Sequence, residues 1–137
     1  MANWKFVTIA HRSLFRWSGG RIGAKIGGID IVMVDTIGRK TGTVRQIPIA
    51  CYPYGNDVTV VASNNGSEKD PFWLLNLREQ PLVNIQLGLQ RYRAQAEELS
   101  KEEAEDMWPE IIRKNPRQAY YKERSNRILP IICFRIL

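Results

Sequence analysis

The sequence predicts a mainly β fold of the α+β class, in which helices lie against a small antiparallel barrel. Runs of β-branched residues are separated by short glycine-containing turns, as in antiparallel hairpins. Helical patterns occur between groups of strands rather than in regular alternation with them. The chain has 137 residues, enough for one domain with its own core. We therefore expect a single domain over residues 1–137.

The first 28 residues are predicted to form an amphipathic helix followed by a flexible, glycine-rich connection. Within residues 4–17, apolar side chains recur at the spacing of one helix face, and basic and aromatic side chains share the segment. Such a helix suits either packing onto the barrel or contact with an anionic membrane surface. The following glycines lack the G-x-G-x-x-G spacing and a preceding strand, so they do not indicate a dinucleotide site.

The next part of the chain is predicted to be a meander of three antiparallel strands. The turns "GRKTG" and "YGND" separate the strands at residues 29–36, 44–52 and 57–63. A short helix should follow over residues 70–81, with Asp70 as the N-cap and Pro71 at the first helical position.

The last third of the chain is predicted to add a hairpin, two helices and a closing strand. Ser100 and Glu103 have the spacing of a capping box, which indicates where the first of these helices begins. The predicted elements are the strands at 82–88 and 91–99, the helices at 100–115 and 116–124, and the strand at 128–136.

The positive charge of the chain is concentrated in its first part. The net charge is +6, and residues 1–50 contain eight Lys or Arg against two Asp, whereas residues 51–137 are balanced. This asymmetry indicates an anionic partner such as a phosphate, a nucleic acid or a lipid surface. Among the predicted strands, only "RYRAQ" offers an exposed patch that interleaves basic and aromatic residues, so we do not expect a nucleic-acid partner.

The residue counts exclude several kinds of active site. One histidine, His11, argues against a zinc site of the usual kind and against a Ser-His-Asp triad, and we expect no metal. Cys51 and Cys133 lie far apart in sequence and are expected to be buried free thiols. No apolar run approaches the 18 or so residues of a membrane span, so a cytoplasmic protein is expected.

The turn between the first two predicted strands is a candidate anion site. Two glycines bracket Arg39, Lys40 and Thr41, and Arg45 follows in the next strand. Glycines allow a tight turn with N–H groups pointing outward, and guanidinium forks suit phosphate or carboxylate groups. A solvated hairpin tip that happens to carry charges remains the alternative.

A second candidate lies at the end of the third predicted strand. The strand ends at Ala62, a small polar loop occupies residues 63–66, and Trp73 follows at the start of a helix. Backbone N–H groups at such a strand end can bind the edge of a planar heterocycle, which Trp73 could cover. The same pattern also describes a turn before a helix with a core tryptophan.

Together these two stretches resemble a known family. "TIGRKTGTVRQIPI" followed by "VVASNNGSEKDPFWLLNL" is similar to the signatures of the deazaflavin (F420)-dependent nitroreductase / quinone reductase family. The resemblance implies a split β-barrel of the flavin-binding type with flanking helices. It also implies an oxidoreductase that binds coenzyme F420 and transfers hydride to a quinone-like or other electron-poor acceptor. FMN is the less favoured cofactor, and a non-catalytic carrier of a flavin, lipid or pigment is the alternative function.

The resemblance also implies which residues form the site. Arg39, Lys40, Thr41 and Arg45 should hold the phosphate and the beginning of the oligoglutamate tail. Tyr121 is the candidate catalytic residue, which would orient the acceptor or donate a proton. The remaining predicted cofactor-binding residues line the groove, bind the ring edge through their backbone or close the pocket: Gln46, Ile47, Pro48, Ile49, Ala50, Val61, Ala62, Ser63, Asn64, Trp73, Asn76 and Gln118.

Three positions depart from the family pattern. Asn65 stands where the first glycine of the second signature is usual. Asn115 and Gln118 stand where some members carry tyrosines that face the electron acceptor, and Tyr121 keeps the third. The sequence therefore predicts coenzyme binding more firmly than the choice of acceptor, and reduction of nitroimidazoles does not follow.

Overall fold

A computed structural model describes residues 24–26, 29–125 and 127–137 of the chain. The helix predicted over residues 4–17 lies outside the described residues. The glycine-rich connection was predicted to be flexible, and this is wrong for Ala24–Ile26, which form a short strand. Their backbone pairs in antiparallel register with Ile29–Ile31, so hydrogen bonds order a segment whose composition gave no strand signal.

The described residues contain seven strands and three α-helices. The strands, β1 to β7, are Ala24–Ile26, Ile29–Ile37, Val44–Tyr54, Asp57–Val61, Leu82–Leu87, Gln90–Glu98 and Ile131–Ile136. The helices, α1 to α3, are Phe72–Glu79, Lys101–Lys114 and Arg117–Arg124. The predicted elements after residue 28 are confirmed, with shifted ends: the last strand, for example, begins at Ile131 rather than at residue 128.

Six of the strands close into an antiparallel barrel. Their order around the barrel is β2-β3-β4-β7-β6-β5, and β5 pairs with β2 to complete the ring. Strands β1 and β5 pair with the same edge of β2. Strand β1 pairs with Ile29–Ile31, and β5 pairs with Met33 and Val34 further along β2. The predicted meander and hairpin, joined on one side by β7, therefore belong to one closed sheet, which leaves few unpaired strand edges.

Two apolar clusters fix α1 and α2 on this barrel. The first fills the barrel and includes Val34, Ile85 and Phe134, with Trp73 of α1 packed at its end. The second lies between the outer face of the sheet and α2, and contains Tyr52 of β3 and Trp108 of α2. Strand β3 therefore contributes to both layers, because alternate residues of a strand point to opposite faces.

The two predicted helix starts have different outcomes. Ser100 Oγ accepts a hydrogen bond from the N–H of Glu103, and the Glu103 carboxylate accepts one from the N–H of Ser100, so the capping box is confirmed. At α1 the prediction is wrong by one residue, since Pro71 is the N-cap and the helix begins at Phe72. The Asp70 carboxylate makes no cap because it accepts hydrogen bonds from Arg78 and Arg127 instead.

The two cysteines are buried free thiols, as predicted. Burial, the largest cause, raises the pKa of Cys51 to about 12 and that of Cys133 to about 12. Both thiols therefore stay protonated at neutral pH and are poor nucleophiles. Within the described ranges, His, Cys, Asp and Glu side chains form no group of three or more that could hold a metal ion, and no helix is long and apolar enough to cross a membrane.

Candidate functional site

A pocket of about 780 Å³ opens beside the barrel, between β3, the loop after β4 and the start of α3. Its volume lies in the range of small-molecule and cofactor sites. Nine residues predicted from the sequence line this pocket: Pro48, Ile49, Ala50, Val61, Ser63, Asn64, Trp73, Gln118 and Tyr121. The lining residues that were not predicted are Ile29, Asn65, Pro71, Asn115, Pro116 and Arg117.

Eight predicted residues do not line the pocket: Arg39, Lys40, Thr41, Arg45, Gln46, Ile47, Ala62 and Asn76. Gln46 is exposed and donates a hydrogen bond to Asp35 Oδ1 (3.3 Å). Ile47 packs against the cluster inside the barrel. The lining of this pocket begins at Pro48, and a contact of Gln46 or Ile47 with the coenzyme stays a prediction.

The basic turn, residues 38–42, is held together by its own backbone. The N–H of Gly38 donates to the carbonyl of Thr43, and the N–H of Gly42 donates to the carbonyl of Gly38, both at 2.8 Å. Gly42 has a φ of 71°, a conformation that favours glycine. Because the glycine N–H groups bond inside the turn, anion binding there falls to side chains rather than to a cradle of glycine amides.

Asn76 holds this turn against α1 instead of closing the pocket. Its Oδ1 accepts hydrogen bonds from Arg39 Nη1 (2.9 Å) and from the backbone N–H of Arg39 (3.4 Å), and its side chain is buried. Lys40 and Arg45 are exposed, and neither forms an ion pair with any residue in the described part of the chain. Lys40 therefore projects from a turn whose position a buried amide fixes, and Arg45 projects from the start of β3 just beyond it.

The loop after β4 has an unusual backbone. Asn64, Asn65 and Gly66 have φ values of 47°, 58° and 82°. Asparagine is enriched in this left-handed region among non-glycine residues, so Asn65 keeps the conformation that a glycine would adopt. The departure at Asn65 therefore does not disturb the loop. Strained backbone of this kind clusters at functional sites, which agrees with the position of Asn64 and Asn65 in the pocket wall.

Only some backbone N–H groups at the end of β4 and in this loop are candidates for binding a ligand. The N–H of Ala62 donates to the carbonyl of Pro130, and its carbonyl accepts from Arg127, so both backbone groups of Ala62 already have partners within the protein. Val61 is paired with Ile131 in the sheet. Ser63 and Asn64 remain as the candidates whose backbone N–H groups could bind a ring edge.

The opposite wall of the pocket is tied to the barrel by a buried hydroxyl. Asn115 Nδ2 donates to Tyr52 Oη (3.0 Å) beneath the pocket. Burial raises the pKa of Tyr52, and hydrogen bonds from Asn115 and Gln118 partly oppose that rise. Asn115 and Gln118 thus turn toward Tyr52, while Tyr121 lines the pocket with its ring edge-on to Tyr120 at 5.9 Å.

Arg117 is the one charged side chain among the described residues that line the pocket. The sequence predicts that one helix ends at residue 115 and the next begins at residue 116, but it gives no sign that this junction faces the loop after β4. Arg117 therefore adds positive potential to a pocket wall that contains no carboxylate within the part of the chain that is described.

We expect Gly66→Ala to destabilise the fold by about 2–3 kcal/mol, from the cost of a left-handed alanine and from crowding. A Cβ on Gly66 would lie 3.2 Å from Arg124 Cδ on α3. Gly55, with a φ of 61° and open space around it, provides the control, and Gly55→Ala should cost about 1–2 kcal/mol. Urea denaturation measures both, and equal losses would show that Arg124 does not crowd the loop.

A model of one protein family matches nearly the whole chain. Residues 8–135 match the family described as F420H(2)-dependent quinone reductase. An F420H(2)-dependent quinone reductase of Mycobacterium tuberculosis (strain ATCC 25618 / H37Rv) is 28% identical over 127 residues, which cover 89% of this chain and 85% of that protein.

Two solved structures share the fold over most of the chain. One, described as an F420-H2 dependent reductase (FDR-A), is 30% identical with a TM-score of 0.70 and covers 77% of this chain and 93% of its own. Another, described as a domain-swapped dimer, is 25% identical with a TM-score of 0.71 and covers 98% of this chain and 100% of its own. The predicted split barrel of the flavin-binding type is confirmed.

Proposed function

Because the chain belongs to the F420H(2)-dependent quinone reductase family, we propose that it transfers hydride from the reduced coenzyme to a quinone-like acceptor held in the pocket. It is an oxidoreductase, and its coenzyme is F420. We also propose, from the geometry of the site, which residues serve the hydride step and which hold the acceptor.

The arrangement of strand β3 is the observation that carries this proposal. Ile49 lines the pocket, and Arg45 lies four residues earlier on the same face of the same strand, about 13 Å away at the usual rise per residue. Lys40 follows in the turn just beyond. The residues present therefore fit a ligand with a flat ring at one end and an anionic tail at the other.

We assign the two parts of the coenzyme to these two places. Arg45 and Lys40 would bind the phosphate and the first carboxylates of the tail. Ser63 and Asn64 would bind the ring edge through backbone N–H groups, and Trp73 would form the apolar wall beside it. The coenzyme, when bound, supplies the hydride, so the protein needs no catalytic dyad.

The acceptor side of the pocket is assigned to α3. An acceptor oxygen becomes negative as hydride arrives on a quinone, and the Arg117 guanidinium has the charge that stabilises it. The Tyr121 hydroxyl, also in the pocket wall, would give that oxygen a proton and recover one from solvent. Asn115 and Gln118 would position this wall through Tyr52 rather than contact the acceptor.

Fluorescence titration of the purified protein with F420, with FMN and with an oligonucleotide tests the coenzyme assignment. We expect F420 to bind at least tenfold more tightly than FMN, because the basic turn favours the longer anionic tail. Equal affinities for F420 and FMN would instead favour a flavin carrier, the non-catalytic alternative. Tight binding of the oligonucleotide would contradict both the F420-dependent enzyme and the flavin carrier.

Contact of residues 4–17 with an anionic membrane surface stays a prediction of the sequence, since these residues lie outside the described ranges. It would bring the enzyme to membrane-borne quinones. Binding to anionic liposomes, measured before and after removal of residues 1–17, tests it. Unchanged binding after the removal would contradict it.

A further inference from the structure

One arginine that lies outside the pocket organises a whole wall of it. Arg127 follows α3 and precedes β7, and its side chain is only 19% exposed. Its Nη1 donates to Asp70 Oδ1 (2.6 Å), and its Nε donates to the carbonyl of Ser67 (3.1 Å). Its Nη2 donates to the carbonyls of Ala62 (3.0 Å) and Lys69 (3.2 Å). One guanidinium therefore donates hydrogen bonds to three carbonyls and one carboxylate, all within the nine residues 62–70.

These acceptors bracket the part of the pocket assigned to the ring. Ala62 immediately precedes Ser63, Asn64 and Asn65, and Asp70 immediately precedes Pro71. A loop with three consecutive positive φ values is intrinsically unfavourable and persists only where its surroundings impose it. The Arg127 guanidinium satisfies the carbonyls at the start and at the end of the loop, and so supplies that constraint.

The partner carboxylate is itself fixed from a second side. Asp70 Oδ2 accepts from Arg78 Nη1 (3.0 Å) on α1, and Arg78 Nε donates to Glu98 Oε1 (2.6 Å) on β6. The loop is thereby attached to a helix and to a strand as well as to the segment before β7. Because the Arg127 charge is balanced by Asp70, it is not available to attract a coenzyme tail.

We propose that Arg127 is the positioning residue of the ring-binding wall, holding residues 62–70 in the conformation that receives the deazaflavin ring. The proposal rests on the proposed function. It differs from the role of the basic turn in an observable way: Arg127 acts on the ring, whereas Lys40 and Arg45 act on the tail. Lysine cannot replace it, since an ammonium group lacks the planar set of donors that reaches three carbonyls and a carboxylate at once.

Arg127→Lys tests the proposal with two ligands, F420 and the tail-less deazaflavin riboside. Affinity for both, measured by fluorescence, is expected to fall about tenfold or more, because the ring site loses its shape for either. Arg135→Lys is the matched control. Arg135 of β7 pairs with Glu97 of β6, away from the pocket, so this substitution should leave both affinities unchanged. Loss of affinity for F420 alone, or no loss for either ligand, would overturn the proposal.

Hydrogen exchange without any ligand gives a second readout, and Asp70→Asn a second variant. Amides of residues 63–69 should exchange at least tenfold faster in Arg127→Lys than in the wild type, whereas those of β2 should not change. The same acceleration is expected in Asp70→Asn, and unchanged exchange in both variants would overturn the proposal. If the wild type bound no deazaflavin, the proposed function would fail, while the exchange rates would still decide whether Arg127 holds the loop.

Discussion

Lys40→Ala/Arg45→Ala is expected to bind F420 at least about 100-fold more weakly than the wild type. Each side chain would lose a charge-assisted hydrogen bond to the anionic tail, worth about 1.5–3 kcal/mol. Both cations are exposed, Lys40 in the turn that Asn76 anchors and Arg45 at the start of β3, so their removal leaves the fold intact. Fluorescence titration at low and at moderate salt measures the loss, which should shrink as salt screens the wild-type interaction.

Two comparisons make this prediction specific to the tail. The tail-less deazaflavin riboside should bind the double variant and the wild type equally well. Arg93→Ala removes an exposed cation of β6 that hydrogen-bonds only weakly to Asn84 (3.4 Å), and it should leave F420 affinity unchanged. If the double variant also lost affinity for the riboside, the basic turn would not be the tail site that we propose.

Trp73→Ala should lower the free energy of unfolding by about 3–5 kcal/mol, the usual cost of deleting a buried aromatic side chain. Trp73 is 9% exposed, belongs to the cluster inside the barrel and also forms part of the pocket wall. Such a loss is a large fraction of the stability of a domain of this size. Urea denaturation followed by circular dichroism measures it without relying on tryptophan fluorescence.

The neighbouring Phe72 provides a control on the same helix. It is 51% exposed, so Phe72→Ala should cost no more than about 1 kcal/mol. The sequence left open whether Trp73 is a core residue or a pocket residue, and the structure places it in both roles. A cost for Trp73→Ala similar to that for Phe72→Ala would contradict its place in the core.

Most of the fold could be predicted because its signals are local. Glycine turns, alternating β-branched runs and the Ser100–Glu103 capping box act within a few residues, and each reappears in the structure. The failures involve partners far away in sequence. Asp70 is not a cap because Arg127 takes its carboxylate, and Ala24–Ile26 form a strand because β2 offers an edge.

The candidate site also contains some residues that the sequence identified and others whose role depends on distant partners. Pro48, Ile49 and Ala50, which the motif assigns to the coenzyme groove, line the pocket. Asn76 and Ala62 were assigned to the ligand, yet their polar groups bond to Arg39 and Arg127. No pattern of neighbouring residue types could have revealed those bonds, because each joins residues at least 37 positions apart.

The sequence by itself determined the order of strands and helices, the cationic turn and the family, because short-range spacing and composition encode all three. Only the tertiary structure decided which of those residues meet. Closure of the barrel brings α3 against the loop after β4, and this contact creates the pocket, adds Arg117 to its wall and recruits Arg127 to hold the loop. The physical reason is that a pocket forms between packed surfaces. These surfaces meet only when the barrel closes and brings residues that are distant in sequence into contact.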